Sequence, residues 1–149
     1  TSKFGDFYTL LLNTGLRPTD AFKLQNRHLN GSYLELKMNK TGDYLSIPLS
    51  KPIIALINAR KDSEFIFPEV RSDRQRRNAL TNIQRLFEPE FVRNNNITLH
   101  TFRHTYAHNL LNRGVPKEVL QTLLGHRSIK TTEIYANWVK RDELKKWID

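Results

Sequence analysis

At 149 residues, with 24 Lys+Arg against 15 Asp+Glu and a net charge of +9, the chain is long enough for one sizeable core and favours a polyanionic partner. It contains no Cys, which excludes disulfides, thiolate zinc sites and a cysteine nucleophile and fits a reducing interior. No apolar run approaches the ~20 residues that a membrane span needs, and no signal-peptide pattern opens the chain.

The first element reads as a helix. Ser2 is placed to cap it, Phe7, Leu10 and Leu11 carry its apolar face to about Asn13, and Gly15 stops it. Pro18 suits the first turn of a second, short helix that carries Asp20, Ala21, Phe22 and Leu24. Residues 33–38 and 44–49 alternate apolar and polar side chains. Between them Asn39-Lys40-Thr41-Gly42-Asp43 is rich in turn formers, which predicts a β-hairpin with Lys40 near its tip. Ser50 then caps a helix with Pro52 in its first turn, ending near Lys61.

Residues 72–87 form an amphipathic pattern. Ala79, Leu80, Ile83, Leu86 and Phe87 share one face, and Arg74, Arg77 and Arg85 gather on the other. Asn94-Asn95-Asn96 marks a loop. A helix from about His100 to Arg113 is closed by Gly114, and a helix opened by Pro116 is closed by Gly125. Ser128 caps one more, carrying Ile129, Ile134 and Tyr135, and residues 141–148 suit a last short helix. The sum is an α+β domain, mainly helical around a small antiparallel sheet. Because the chain opens without an initiator Met and runs at once into apolar periodicity, a fragment of a longer protein is expected.

Several side chains in this frame bind phosphate or move protons. Arg17 ends Thr14-Gly15-Leu16-Arg17, Lys40 opens Lys40-Thr41-Gly42, His100 and Arg103 form a His-x-x-Arg, His126 follows Leu124-Gly125, and Tyr135 follows Ile134. An arginine fork donates two parallel hydrogen bonds and stays charged at any working pH, so Arg17 and Arg103 suit the non-bridging oxygens of a phosphodiester. Either alone reads equally as a surface residue. Tyr135 needs a base or a strong positive field to become a nucleophile, since tyrosine titrates near ~10; Tyr8, Tyr33, Tyr44 and Tyr106 fall at apolar-periodic positions and suit packing. Lys40 by position alone is a solvated turn lysine, with Lys37 and Lys51 as weaker alternatives for any role it has. His100, His104 and His108 recur at helical spacing and raise a zinc site, but Thr101 stands where such a motif needs Glu, and no metal is expected. Arg71, Arg74, Arg76 and Arg77 either track a nucleic-acid backbone or make a solvated helix face.

Taken together, the order and spacing of Arg17, Lys40, His100, Arg103, His126 and Tyr135 resemble the catalytic domain of the tyrosine recombinases, the phage-integrase family. The resemblance covers about residues 14–138 and is densest over 97–137. It implies DNA breaking and rejoining, with Tyr135 attacking the scissile phosphate to form a 3′-phosphotyrosyl bond and release a 5′-hydroxyl, and with no metal, ATP or other cofactor. Arg17, Arg103 and His126 would stabilise the transition state, His100 would be the base or proton shuttle, and Lys40 would protonate the departing 5′ oxygen. Asp20 occupies the family's acidic position, where Glu is commoner, and would hold the site's geometry; it also reads as an ordinary first-turn carboxylate.

The resemblance further implies double-stranded DNA as partner, a tetramer of the full-length protein on paired sites, a cytoplasmic bacterial or phage-encoded protein at the nucleoid, and an N-terminal core-binding domain preceding residues 1–149. Arg74, Arg77 and Arg85 are the expected DNA contacts outside the active site. A type IB topoisomerase-like relaxing enzyme and a non-catalytic DNA-binding module remain open beside this reading.

Overall fold

The structure, a computed structural model, describes residues 3–125 together with Lys145 and Ile148. Seven α-helices and three strands occur among them: α1 (Gly5–Thr14), α2 (Pro18–Ala21), β1 (Leu29–Asn30), β2 (Tyr33–Lys37), β3 (Tyr44–Pro48), α3 (Lys51–Asn58), α4 (Asp73–Gln84), α5 (Pro89–Asn95), α6 (Thr101–Asn112) and α7 (Lys117–Leu124). Two 3₁₀ turns, Asn26–His28 and Pro68–Val70, join them. The expected α+β architecture is present, mainly helical with one small antiparallel sheet.

Helix α1 is central. Its apolar residues recur at helical spacing, so Phe7, Leu10 and Leu11 fall on one face and are fully buried between α3 and α6. Phe7 stacks on Phe22 (centroids 5.5 Å apart) and meets Phe67 edge-on at 5.3 Å, which ties α2 and the segment before α4 to the same centre. The sheet runs in the order β1-β2-β3, with Leu34 opposite Ile47 and Leu36 opposite Leu45. Period-two alternation puts Leu34, Leu36, Met38, Leu45, Ile47 and Leu49 into the core. Helix α7 packs against β3, and α6 lies across α1.

Several boundaries differ from the sequence reading. Helix α1 begins at Gly5 with Phe4 in the N-cap place, and Ser2 lies outside the described residues. Ser50 does occupy the N-cap of α3, without a capping side-chain bond, and α3 ends at Asn58 rather than near Lys61. Ser72 caps α4 through a reciprocal box with Gln75, but the helix stops at Gln84. Leu86 and Phe87 therefore leave the apolar face and stand 71% and 42% exposed. The segment read as a loop at Asn94 and Asn95 is the end of α5, which starts on Pro89 and is closed by Asn96 in the left-handed conformation (φ 50°). Strand β1 is too short to carry a period. Tyr44 lies on the sheet as expected but is 53% exposed.

Of the C-terminal segment, Lys145 Nζ donates to Ser32 Oγ at 3.2 Å, and Ile148 is half-buried against the core. The helix expected to start at Ser128 and carry Ile129, Ile134 and Tyr135 lies outside the described residues. Among the described residues no helix is long and apolar enough to cross a membrane.

Candidate active site

Arg17 stands at the N-cap of α2, half-buried, one residue after the buried Leu16. Gly15 makes this placement possible. It closes α1 with φ 67°, and a Cβ there would sit 2.3 Å from Cδ2 of Tyr106 on α6. Only glycine has both the backbone freedom and the missing volume. The α1–α2 connection therefore lies directly on α6, the helix that carries Arg103.

Arg103 is 6% exposed and donates Nη1 to the carbonyl of Gly15 and Nη2 to the carbonyl of Leu124, the latter at 3.0 Å. One guanidinium thus holds the backbone just ahead of Arg17 and the last residue of α7, just ahead of Gly125. Burial, and then the nearby charge of Arg17, lower its pKa to about 10, against the opposing pull of Asp20 and Tyr106. It stays protonated at neutral pH. Phe102, next to it, stacks on Tyr8 of α1 (centroids 5.3 Å, planes 16° apart). Tyr8 in turn donates its hydroxyl to the Ala79 carbonyl of α4 at 2.6 Å and accepts from Asn82 at 3.2 Å.

Gly125 caps α7 with φ 72°, and a Cβ on it would lie 2.7 Å from both Sδ and Cε of Met38. Met38, the chain's one methionine, is buried at the end of β2 and receives Nη1 of Arg17 at 3.5 Å through its sulfur. Arg17, the Leu124-Gly125 cap and the β2–β3 turn meet at this thioether. The turn is closed by Met38 N–H to Asp43 O (2.8 Å) and Gly42 N–H to Met38 O (2.9 Å), leaving Lys40 exposed at its tip as expected.

His100 forms the N-cap position of α6, held by its N–H on Thr98 Oγ1 at 3.2 Å. Its ring meets His104 edge-on at 5.1 Å. Partial burial, followed by the charges of His104, Arg103, Arg17 and Lys40, lowers its pKa below the ordinary imidazole value. His100 is therefore neutral at neutral pH, inside the field of the cations that the sequence singled out. Asp20 is 4% exposed, and its Oδ1 accepts the backbone N–H of Asn39 at 2.7 Å. It is a buried tie to the Lys40 turn rather than a solvated first-turn carboxylate.

The arginines in and beside α4 divide. Arg71 donates to the Phe22 carbonyl and lies 3.6 Å over the Phe65 ring, and Arg76 donates to the Val70 carbonyl and covers the Phe22 ring at 4.5 Å. These two are committed to the protein's own packing. Arg74, Arg77 and Arg85 are exposed. His126 and Tyr135 lie outside the described residues. No cluster of three His, Cys, Asp or Glu among the described residues is arranged to hold a metal ion. The sequence did not single out Met38 or Asn39; the alternation of β2 marked Met38 as inward, but nothing local marked its contact with Arg17.

A model of the phage integrase family matches residues 6–141. Tyrosine recombinase XerA of Pyrococcus furiosus is 30% identical over 136 residues, which are 85% of this chain and 47% of that protein. Tyrosine recombinase XerC of Pelobacter propionicus is 31% identical over 93% of this chain and 48% of its own length. The chain spans about half the length of the curated relatives it matches. In fold it is similar to an integrase from mycobacterium phage Brujita (TM-score 0.71, 22% identity, 99% of this chain and 52% of that one). It is also similar to a lambda integrase tetramer bound to a Holliday junction (TM-score 0.58, 21% identity, 85% and 41%).

Proposed function

The chain belongs to the phage integrase family, and from that premise we propose that it is the catalytic domain of a DNA breaking-and-rejoining recombinase. The observation that carries the reading is the guanidinium of Arg103, bonded at once to the carbonyls of Gly15 and Leu124. That link brings Arg17, His100 and the approach to His126 around one centre, with the Lys40 turn docked beside it through Met38 and Asn39.

In the proposed step the Tyr135 hydroxyl gives its proton to His100 and its oxygen attacks phosphorus. The bond from phosphorus to the 5′ oxygen breaks, and that oxygen leaves with a proton from Lys40. Negative charge developing on the non-bridging oxygens is met by Arg17, His126 and the remaining N–H groups of Arg103, where preorganised donors give the largest share of the rate. A 5′-hydroxyl then reverses the step, so one phosphodiester is exchanged for another and no nucleotide cofactor is consumed. Neutral His100 suits the role of base, because an imidazolium has no lone pair to accept the proton. Arg74, Arg77 and Arg85 contact the double-stranded DNA outside the active site, and a tetramer on paired sites is the proposed working assembly of the full-length protein.

The test is a covalent one. On a suicide DNA substrate carrying its site, the protein should become attached to the 3′ phosphate through Tyr135, and Tyr135→Phe should bind DNA without attachment. An adduct on another residue, or on a 5′ phosphate, would overturn the reading.

A further inference from the structure

The turn that carries Lys40 is held at its neck by the Arg17 contact with Met38 and, next to Lys40 itself, by a pair of residues from outside the sheet. Asp20 in α2 and Lys23 in the turn that follows that helix both bond to Asn39: Asp20 Oδ1 accepts its backbone N–H at 2.7 Å, and Lys23 Nζ donates to its side-chain Oδ1 at 3.2 Å. Asn39 is the residue immediately before Lys40, and α2 is the helix that Arg17 opens. We propose that Lys23 and Asn39 form a clip that positions Lys40 for proton transfer, acting as positioning residues and not as catalytic ones. This rests on the reading of Lys40 as the general acid.

The physical need for such a clip follows from the turn. Its own bonds, Met38 N–H to Asp43 O, Gly42 N–H to Met38 O and Asp43 N–H to Thr41 Oγ1, all lie within the turn, so they shape the exposed tip without tying it to the rest of the domain. A lysine side chain adds its own rotamer freedom, whereas a general acid must come within hydrogen-bond reach of one oxygen. The Asp20 bond fixes the backbone of residue 39 against α2. The Lys23 bond fixes its side chain to the turn just after that helix, where the Lys23 N–H is bonded back to the Asp20 carbonyl at 3.2 Å, so the tip is held at two points. Because α2 starts at Arg17, the phosphate-binding cation and the acid are then referred to one rigid element.

The experiment uses the intact protein in single-turnover cleavage at saturating enzyme. The suicide substrate carries either oxygen or sulfur at the bridging 5′ position, since a thiolate departs without protonation. On the oxygen substrate Lys23→Met and Asn39→Ala should each slow cleavage about 2- to 10-fold, as fits the loss of one exposed hydrogen bond. The double variant should be no slower than the slower single one, because both remove the same contact. On the sulfur substrate all three should cleave at the unsubstituted rate, and DNA affinity should be unchanged throughout. An unchanged oxygen rate, or a loss that persists on sulfur, overturns the clip; so does a Lys23→Met defect as large as that of Lys40→Ala, which would make Lys23 the acid. Lys40→Ala is the reference for the underlying reading: if sulfur does not rescue it, Lys40 is not the acid, and that reading falls first.

Discussion

Replacing Gly15 with alanine tests the contact on which the site is built. Two costs add. At φ 67° an L-residue is held in the left-handed region, which costs about 1–2 kcal/mol. Its Cβ would also lie 2.3 and 2.6 Å from two ring carbons of Tyr106 and 3.0 Å from a methyl of Leu124. Tyr106 is buried, so its ring has no open space to move into, and overpacking of this kind costs about 1–3 kcal/mol more. The sum is about 2–5 kcal/mol. Gly31 supplies the control: at φ 63° a Cβ there meets nothing within 4 Å, so Gly31→Ala should lose only the backbone part, about 1–2 kcal/mol. Urea unfolding of the two variants, compared at equal slope, isolates the packing term. Equal losses would refute the seating of the α1–α2 connection on α6, and with it the Arg103 bond to Gly15.

Tyr106 itself buries a hydroxyl with no hydrogen-bond partner among the described residues, so Tyr106→Phe should be neutral or stabilising by up to ~1 kcal/mol in the same assay; a clear loss of stability would show that the hydroxyl is bonded. His100 has its pKa lowered by partial burial and neighbouring cations, so as pH falls from neutrality it should keep its lone pair to a pH below the ordinary histidine value. In the DNA-free protein an NMR titration should therefore find the His100 imidazole below the ordinary histidine value, and a value at or above it would refute the burial and cationic surroundings that the structure gives this ring. Charge removal at Arg74, Arg77 or Arg85 should weaken DNA binding uniformly across sequences and reduce the salt slope by about one each, whereas Arg76→Gln should act on stability instead. Slopes unchanged in all three would show that the exposed stripe does not touch phosphate.

The helices and the hairpin were legible in the sequence because their signals are local. Apolar spacing, Pro18, Pro52, the Ser72–Gln75 pair and the glycines at 15, 114 and 125 each act within one or two turns of chain. The candidate chemistry was legible too, since Arg17, Lys40, His100 and Arg103 are named by residue type and order. Helix α5 was hidden because its last two residues, Asn94 and Asn95, are poor helix formers, and its Pro89 start and the Phe87–Phe91 stack are weak local signals.

What those residues do to each other was decided by the tertiary structure. Whether Arg103 spends its donors on phosphate or on backbone depends on where Gly15 and Leu124 lie, and each is far from it along the chain. Asp20 became a buried tie rather than a solvated carboxylate because β2 ends beside α2. Arg71 and Arg76 left the basic face, while Arg74 and Arg77 stayed on it, because among the described residues aromatic rings from other segments lie under the first pair. Charge and propensity are properties of a residue and its neighbours in sequence, whereas a donor's partner and a carboxylate's burial are set by segments that meet only when the chain has folded.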